Sequence, residues 1–510
     1  MIARRSLIIV STQILIRFFG WIGLFVLAKL WGGFAPEALG TIGFAMAFVA
    51  LFTFIGDLGF SAAHIKRISE GKDLGECVGT YFTVKFLLVG LMSLILIISV
   101  LLVEHDPLIN TVIWIFIAYY IFTSLLQIPI STFEATKKIV KRQITLITEN
   151  LVKVPLFITV VVIGSGLVAY SVDNDNLIIL LSSSYVLGIM STFMVGLWLF
   201  RKYPIKKPKW SLFKSYFSFA LPVMMLSLVS AFSVNTDKIM IGYFWDTIEV
   251  GYYFTMKQIT HIFLILSGSI GIVLFPTLSN YHSNSNYEKI RNTTHLAERY
   301  ISMVLIPIVI IVVIFSKTII NVMLNNSFIP ASSVLIALMI LCFISSISVP
   351  YTCLITGINK PSIAAKIGAL ICFTNIGLNF LLIPKDGLLS YVGINGALAA
   401  AIATILANTI GFFGLRFYAK KLTDIHIFNK HIFLQLFAGF IMFCFLFVFN
   451  WKLYIMSWYG LFLFSFFGLI IYLSILFIIK EFRKEDFNFF LDLFHPKEMI
   501  KYVSGEIKNK

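Results

Sequence analysis

Apolar runs of about 20 or more residues follow one another from Leu7 to Ile479, with only short polar loops between them. A helical run of that length matches the ~30 Å hydrocarbon core of a bilayer at about 1.5 Å per residue. Backbone groups in lipid must be satisfied within the protein, which leaves helices or closed barrels. A barrel would show alternating segments of about 10 residues, and the sequence has none. Charged residues make up 13% of the chain and hydrophobic ones 59%, against about 25% charged in a soluble domain. A water-soluble fold is excluded. The runs predict an all-α polytopic membrane protein of fourteen spans, at 7–30, 39–62, 78–103, 108–132, 143–168, 177–200, 213–236, 249–276, 299–321, 331–356, 363–383, 392–417, 432–450 and 458–479. Arg4 and Arg5 precede a first run too long for a cleaved signal peptide, so it is expected to stay as a span. Of the five cysteines, four lie in apolar runs and none has metal-ligand spacing. Neither a metal nor a cofactor is expected.

The net charge of +16 invites a nucleic-acid reading, but the basic residues are distributed as a membrane topology requires. The loops of one side hold 31 of the 40 lysines and arginines, from Arg4 and Arg5 through Lys137, Lys138, Lys141 and Arg142 to the C-terminal tail. Opposite loops hold Lys238, Lys317, Lys385 and Lys452 beside Glu104, Asp106, Asp173 and Asp175. The positive-inside rule then puts both termini in the cytoplasm, as an even number of spans requires.

The most basic interruption is Arg201 to Lys214, where Pro204 and Pro208 forbid a regular helix. It divides the chain into two similar plans. Leu39-Gly40-Thr41 at the head of span 2 resembles Val250-Gly251-Tyr252 at the head of span 8, and Pro129 in span 4 matches Pro350 in span 10, at offsets of 211 and 221 residues. The organisation expected is an N-terminal lobe of six spans (1–200), a cytoplasmic linker (201–214) and a second lobe of six spans (215–430). Two C-terminal spans (431–480), aromatic-rich and read as a lipid-facing appendage, and a cytoplasmic tail (481–510) complete it. Transporters often use such repeats, with the substrate held between the halves.

Two stretches carry a family resemblance. One is Ile55-Gly56-Asp57-Leu58-Gly59-Phe60, leading to Lys66-Arg67. The other runs from Asn375 through Asn379-Phe380-Leu381-Leu382-Ile383-Pro384 to Gly393, Gly396-Ala397 and Ala403-Thr404. With Asp237-Lys238 closing span 7 and Pro276 closing span 8, the chain resembles the polysaccharide transporter family, Wzx-type flippases of the multidrug/oligosaccharidyl-lipid/polysaccharide exporter superfamily. The resemblance implies a fourteen-helix exporter of the bacterial cytoplasmic membrane that flips undecaprenyl-diphosphate-linked oligosaccharides for O-antigen, capsule or exopolysaccharide. Implied partners are the lipid-linked substrate, membrane lipid, and a polymerase and chain-length regulator, with a monomer as the working unit. The turn Lys385 to Ile394 is longer than the family's usual turn, which leaves the outer shape of spans 11 and 12 open.

Ionisable groups inside spans are the candidate machinery, because each costs about 2.5–3.5 kcal/mol at mid-bilayer unless a cavity or partner receives it. Arg17 lies ten residues past Leu7; its guanidinium suits phosphate oxygens, although a pair with another helix would also account for it. Glu149 and Lys153 are spaced i,i+4 on one face of span 5, either as a self-neutralising pair or as a gated site. Lys257 and His261 repeat that spacing in span 8, and the imidazole changes charge near neutral pH. Lys85 reads as snorkelling to the cytoplasmic surface, and Asp57 as pairing with Lys66, Arg67 or the next helix. Arg17, Lys153, Lys257, Asn375 and Asn379 are therefore the candidate substrate ligands. Glu149, His261 and Asp57 are the ion-coupling candidates, and Asp237 with Lys238 the gate. For the two asparagines, hydrogen bonding between helices is the competing account. The resulting cationic cavity suits an anionic headgroup better than a cationic drug, the substrate of a multidrug antiporter. A membrane polymerase would need a sizeable external loop, and no Walker A pattern occurs, so neither an enzyme nor an ATP-driven pump is expected.

Overall fold

The computed structural model describes residues 2–482 apart from 104–105, 167–171, 395, 427–428 and 454–456, with side chains from Thr12 onward, those at 222 and 226 excepted. Glu104, the end of expected span 5 and the tail beyond 482 lie outside the described residues. Every regular element among them is helical. The helices are α1 (Ile2–Trp31), α2 (Ala35–Ala50), α3 (Phe60–Ser69), α4 (Leu74–Leu102), α5 (Pro107–Ala135), α6 (Ile139–Gly164), α7 (Asn174–Phe200) and α8 (Trp210–Phe244). There follow α9 (Thr247–Thr260), α10 (Leu264–Ser283), α11 (Tyr287–Met323), α12 (Ser332–Gly357), α13 (Pro361–Leu382), α14 (Gly396–Thr423), α15 (Lys430–Leu453) and α16 (Trp458–Ile478). Contacts group the chain into two units, Ile8–Thr255 with Cys372–Ala400, and Met1–Leu7 with Met256–Ile371 and Ala401–Lys510.

By length and hydropathy, twelve helical runs among the described residues can cross a membrane. A thirteenth is α8, whose parts Trp210–Leu221 and Val223–Phe244 meet at 47°. The expected number is fourteen, and the difference lies at the N-terminus. Thr12–Ala50 counts as one run of 39 residues, about 58 Å if straight and nearly twice the ~30 Å core. Expected span 1 from residue 12 onward and the first part of expected span 2, 39–50, fall within it, separated by a 3-10 turn at Gly32–Phe34 that begins with Gly32 at φ +54°.

Two spans expected to be continuous are broken. Span 2 stops as a helix at Ala50, passes through turns from Leu51 to Gly59, and resumes as α3. Span 8 stops at Thr260, turns through His261 to Phe263, and resumes as α10. The 211-residue offset carries Ala50 onto His261, so the breaks open at equivalent places in the repeat. Leu58 at φ +44° and Gly59 at φ +82° make the first break abrupt. Left-handed backbone costs a residue with a Cβ roughly 1–2 kcal/mol, and a Cβ on Gly59 would also meet the Ala220 carbonyl oxygen at 2.9 Å. The glycine-rich motif Ile55 to Phe60 is the sequence of a helix break.

The repeat-related glycines meet each other. A Cβ on Gly40 would lie 1.6 Å from the Thr247 carbonyl oxygen and 2.9 Å from the Gly251 nitrogen. One on Gly251 would lie 1.9 Å from the Pro36 carbonyl oxygen and 3.2 Å from the Gly40 nitrogen. The heads of α2 and α9 thus cross backbone to backbone, each copy of the motif presenting the same surface to the other. Pro129 and Pro350, the other repeat markers, are both buried inside continuous helices, α5 and α12.

The basic linker is docked rather than loose. From Lys202 to Lys209 it is non-helical, as its prolines require, and it runs along the first turns of α4. The Lys206 N–H donates to the Gly75 carbonyl at 3.0 Å and the Lys209 N–H to the Thr80 hydroxyl at 3.0 Å. Lys206 Nζ donates to Asp73 Oδ2 at 2.8 Å. That hydrogen bond holds the Asp73 carboxyl below the usual carboxylate range and raises the Lys206 ammonium.

In the other unit, the last two helices are more than a lipid-facing appendage. Ala438, Met442 and Leu446 of α15 and Tyr472 and Leu476 of α16 are buried in one cluster with Met303, Ile306 and Phe315 of α11. Their remaining faces expose Phe440, Phe447, Phe462 and Phe466.

Overpacking a filled interface costs about 1–3 kcal/mol, and the nearest atoms at the glycine crossing are backbone. Gly40→Ala and Gly251→Ala are each expected to lower the apparent unfolding temperature of the purified protein. Gly90→Ala, where nothing lies within 4 Å of the added Cβ, is expected to leave it unchanged or raised. Wild-type unfolding temperatures for both crossing variants would refute the close approach.

Candidate functional site

The two helix breaks define the site, because irregular backbone at membrane depth is tolerated only where protein or a cavity receives it. The first break borders a cavity of about 340 Å³ whose lining includes Thr53, Asp57, Ser61, Lys85, Tyr120 and Gln127. A second cavity, of about 420 Å³, is lined by Thr53 and Phe54 with Ser227, Ser230 and Ala231 of α8. Asp57 sits within the break and His261 at the start of the other. Two of the three ion-coupling candidates are therefore at broken helices.

Lys85 does not snorkel. Its side chain is 1% exposed and its Nζ donates to Asp57 Oδ1 at 2.8 Å. The reason is the break itself: with the helix open at Leu51–Gly59, the carboxylate reaches α4, and pairing there is cheaper than dragging a lysine to the surface. Asp57 thus pairs with the next helix, one of the partners expected, and it also accepts from Ser61 Oγ, which contacts Tyr81 Oη at 2.6 Å.

Glu149 and Lys153 pair at 3.1 Å along α6, as their spacing predicts. Tyr119 Oη donates to the same Glu149 Oε1 at 3.1 Å, and Lys153 Nζ lies 4.8 Å from the centre of the Tyr185 ring. Arg17 is half-buried and makes neither a hydrogen bond nor an ion pair with a described residue. It comes to the level of Lys153: the site of a Gly23 Cβ lies 3.4 Å from Phe157, and Trp31 Nε1 donates to the Val161 carbonyl at 2.9 Å. Arg17 is six residues before Gly23 and Lys153 four before Phe157, about 9 and 6 Å along parallel helices.

Asn375 and Asn379 are both buried in α13, where the hydrogen-bonding account holds. Asn379 Nδ2 donates to Asp237 Oδ1 at 2.8 Å and to Asn375 Oδ1 at 3.3 Å. Tyr253 Oη donates to Asp237 Oδ2 at 2.5 Å. The Asp237 carboxylate, fully buried, thereby ties α8, α9 and α13 together, and its α9 partner Tyr253 is two residues past Gly251 of the glycine crossing. Lys238 Nζ donates to Asn235 Oδ1 at 3.3 Å. Lys257 and His261 stand at the end of α9, where the Lys257 carbonyl accepts from the His261 N–H at 3.1 Å and the Thr260 hydroxyl at 3.2 Å.

Sequence reasoning missed a second charged cluster, in the other unit. Glu298, fully buried, accepts from Arg416, from Tyr351 Oη at 2.8 Å and from Asn429 Nδ2 at 3.2 Å. Glu481, 3% exposed, accepts from Arg299 Nε at 2.8 Å and Gln435 Nε2 at 3.3 Å, and His431 Nδ1 lies 2.7 Å from its other oxygen. Arg299 and Arg416 had been counted as loop charges. Both stand at span ends, where a charge reads as topology; only Glu298 beside Arg299 at the edge of an apolar run signals a pair.

The elements define a multi-pass helical membrane protein with repeated, broken spans. The chain belongs to the polysaccharide biosynthesis protein family, whose profile matches residues 26–333. Over 443 residues it is 25% identical to a Haloferax volcanii protein described as "Probable low-salt glycan biosynthesis flippase Agl15", covering 87% of this chain and 89% of that one. Its fold is that of the lipid II flippase MurJ in an inward closed conformation, at a TM-score of 0.73 and 18% identity over 92% of this chain and 98% of that one. An inward-facing multidrug resistance MATE transporter aligns at 0.63 and 13% identity, over 80% and 95%.

Removing one member of a buried ion pair costs about 3–5 kcal/mol, whereas removing both is often near neutral. Asp57→Asn or Lys85→Met alone is expected to lower the apparent unfolding temperature, and the double variant to recover much of the loss. A double variant that loses the sum of the two single effects would show that the pair is not coupled.

Proposed function

We propose that the chain is a flippase that moves an oligosaccharide carried on a polyprenyl diphosphate across the cytoplasmic membrane by alternating access, for assembly of a surface glycan. The observation that carries this reading is Arg17, a guanidinium within α1 that has no ionic partner among the described residues, whereas the carboxylates of Asp57 and Glu149 have theirs. Asp57 has Lys85, Glu149 has Lys153, and Asp237 has Tyr253 and Asn379. A cationic drug needs an uncompensated acid; a diphosphate needs an uncompensated cation, with charge-assisted hydrogen bonds about twice as strong as neutral ones. The family membership and the Haloferax relative support the same substrate class.

In this reading Arg17 and Lys153, with Lys257 from the second half, bind the diphosphate, and Asn375 and Asn379 contribute through the Asp237 gate. Two lobes, 1–200 and 215–430, alternate about the glycine crossing, with both termini in the cytoplasm and one chain as the working unit. A polymerase that consumes the flipped lipid would pull the reaction outward. Arg17→Ala is expected to reduce surface glycan to background in a strain lacking its own flippase, at normal membrane levels by immunoblot. Arg17→Lys should retain part, since charge survives without the bidentate fork. Wild-type export from an inserted Arg17→Ala protein would overturn the anionic-substrate reading and favour the drug exporter.

Glu149, His261 and Asp57 are the proposed coupling groups. Asp57 and His261 stand where the helices break, and Glu149 shares Lys153 with the substrate. If a proton drives export, Glu149→Gln with His261→Ala should abolish its dependence on ΔpH in inverted vesicles, whereas an unchanged dependence would move the coupling elsewhere.

A further inference from the structure

A cavity of about 600 Å³ opens beside the first turns of α11 and α15, lined by Asn292, His295, Arg299, His426, Lys430 and His431 among others. Its volume is that of a small-molecule site. Among the described residues no carboxylate lines it. The nearest acids are already engaged, Glu298 by Arg416, Tyr351 and Asn429, and Glu481 by Arg299, His431 and Gln435. Lys430, by contrast, forms no ion pair with a described residue and is exposed. His295 Nδ1 is buried without a hydrogen-bond partner, 3.8 Å from Glu298 Oε2. On the rim, Arg299 and His431 are answered by Glu481, which leaves Lys430 and His426 as basic groups without an ion pair to a described residue, beside the unpartnered His295 Nδ1.

Three histidines in one cavity raise the question of a metal. No three His, Cys, Asp or Glu side chains among the described residues are placed to share one; an imidazole N–H can instead donate a hydrogen bond, and His295 Nδ1 has no partner. Donors of this kind with a lysine fit an oxyanion, and α11, at 37 residues or about 55 Å, is long enough to lift its first turns to the membrane surface. Basic pockets at that depth take phosphate headgroups.

We propose that this cavity binds a phosphate-bearing anion, either the headgroup of an anionic lipid or a soluble phosphate. Its facing the cytoplasm rests on the orientation proposed above; the binding chemistry does not, and the site is separate from Arg17 and Lys153. The test uses the purified full-length chain in detergent and reads binding without transport, so failure of the flippase reading leaves it intact. One arm compares thermal unfolding in sodium phosphate and in sodium chloride of equal ionic strength. The other counts, by native mass spectrometry, phosphatidylglycerol against phosphatidylcholine retained by the protein. His426→Gln with Lys430→Gln, both exposed positions, removes donors without touching the core, and Lys430→Gln alone serves as a second variant. A lost charge-assisted bond is expected to weaken binding about tenfold or more. Binding in the lipid arm alone identifies a headgroup, in the phosphate arm alone a soluble anion, and in both the shared phosphate chemistry. No response in either arm, or wild-type binding by both variants, overturns the proposal.

Discussion

Everything in this molecule turns on how a polar group is accommodated at membrane depth. Lipid offers neither water to a backbone carbonyl nor counter-ions to a side chain, so each interruption of a helix and each charge needs a partner from the protein. The break at Leu51–Gly59 and the Asp57–Lys85 pair answer one another. Through the open stretch backbone N–H groups, such as those of Leu51, Thr53, Gly56 and Phe60, still donate to carbonyls three or four residues back, and a cavity lined by Ser61, Tyr120 and Gln127 borders it. The open turn then brings a carboxylate to a lysine that would otherwise have to reach the surface.

The same constraint explains why the repeat is preserved where it is. Gly40 and Gly251 are small so that two helix heads can cross at backbone distance. Small residues at helix crossings are the common device in membranes, where burial against a neighbour gains little hydrophobic free energy over burial in lipid. Beyond that crossing each span breaks at an equivalent position, and the buried Asp237 with Tyr253 and Asn379 fastens α8, α9 and α13 on the same side. Leu58, held in left-handed backbone, is where the strain of the first break is stored.

Long-range architecture was legible in the sequence because hydropathy and loop charge report on it directly. Helical character, the span positions and the Glu149–Lys153 pair all follow from runs and spacings. The broken spans were not legible: Ile55 to Phe60 is as apolar as a continuous helix, and only Gly56 and Gly59 hint at a turn. Lys85 was misread for a related reason, since its partner reaches it only through that break. Arg299, Arg416 and Glu481 were misread because hydropathy cannot separate a charge at the surface from one folded beneath the ends of neighbouring helices. Depth along a single helix is readable from sequence; what a neighbouring helix presents at that depth is not.

The balance of paired and unpaired groups bears on what this fold carries in this chain. A TM-score of 0.63 to a multidrug transporter and 0.73 to a lipid flippase define one scaffold without choosing its cargo, since a fold hosts unrelated functions. The choice falls to the residual charge. In the N-terminal helices the carboxylates of Asp57 and Glu149 are matched by lysines on α4 and α6, and those pairs leave no net charge for a ligand. Arg17 is then the charge left over at that depth. A cation in low dielectric attracts an anion more strongly the better water is excluded, so under the proposed function closure around a diphosphate would strengthen the contact that selects it. The same closure around a cationic drug would increase repulsion.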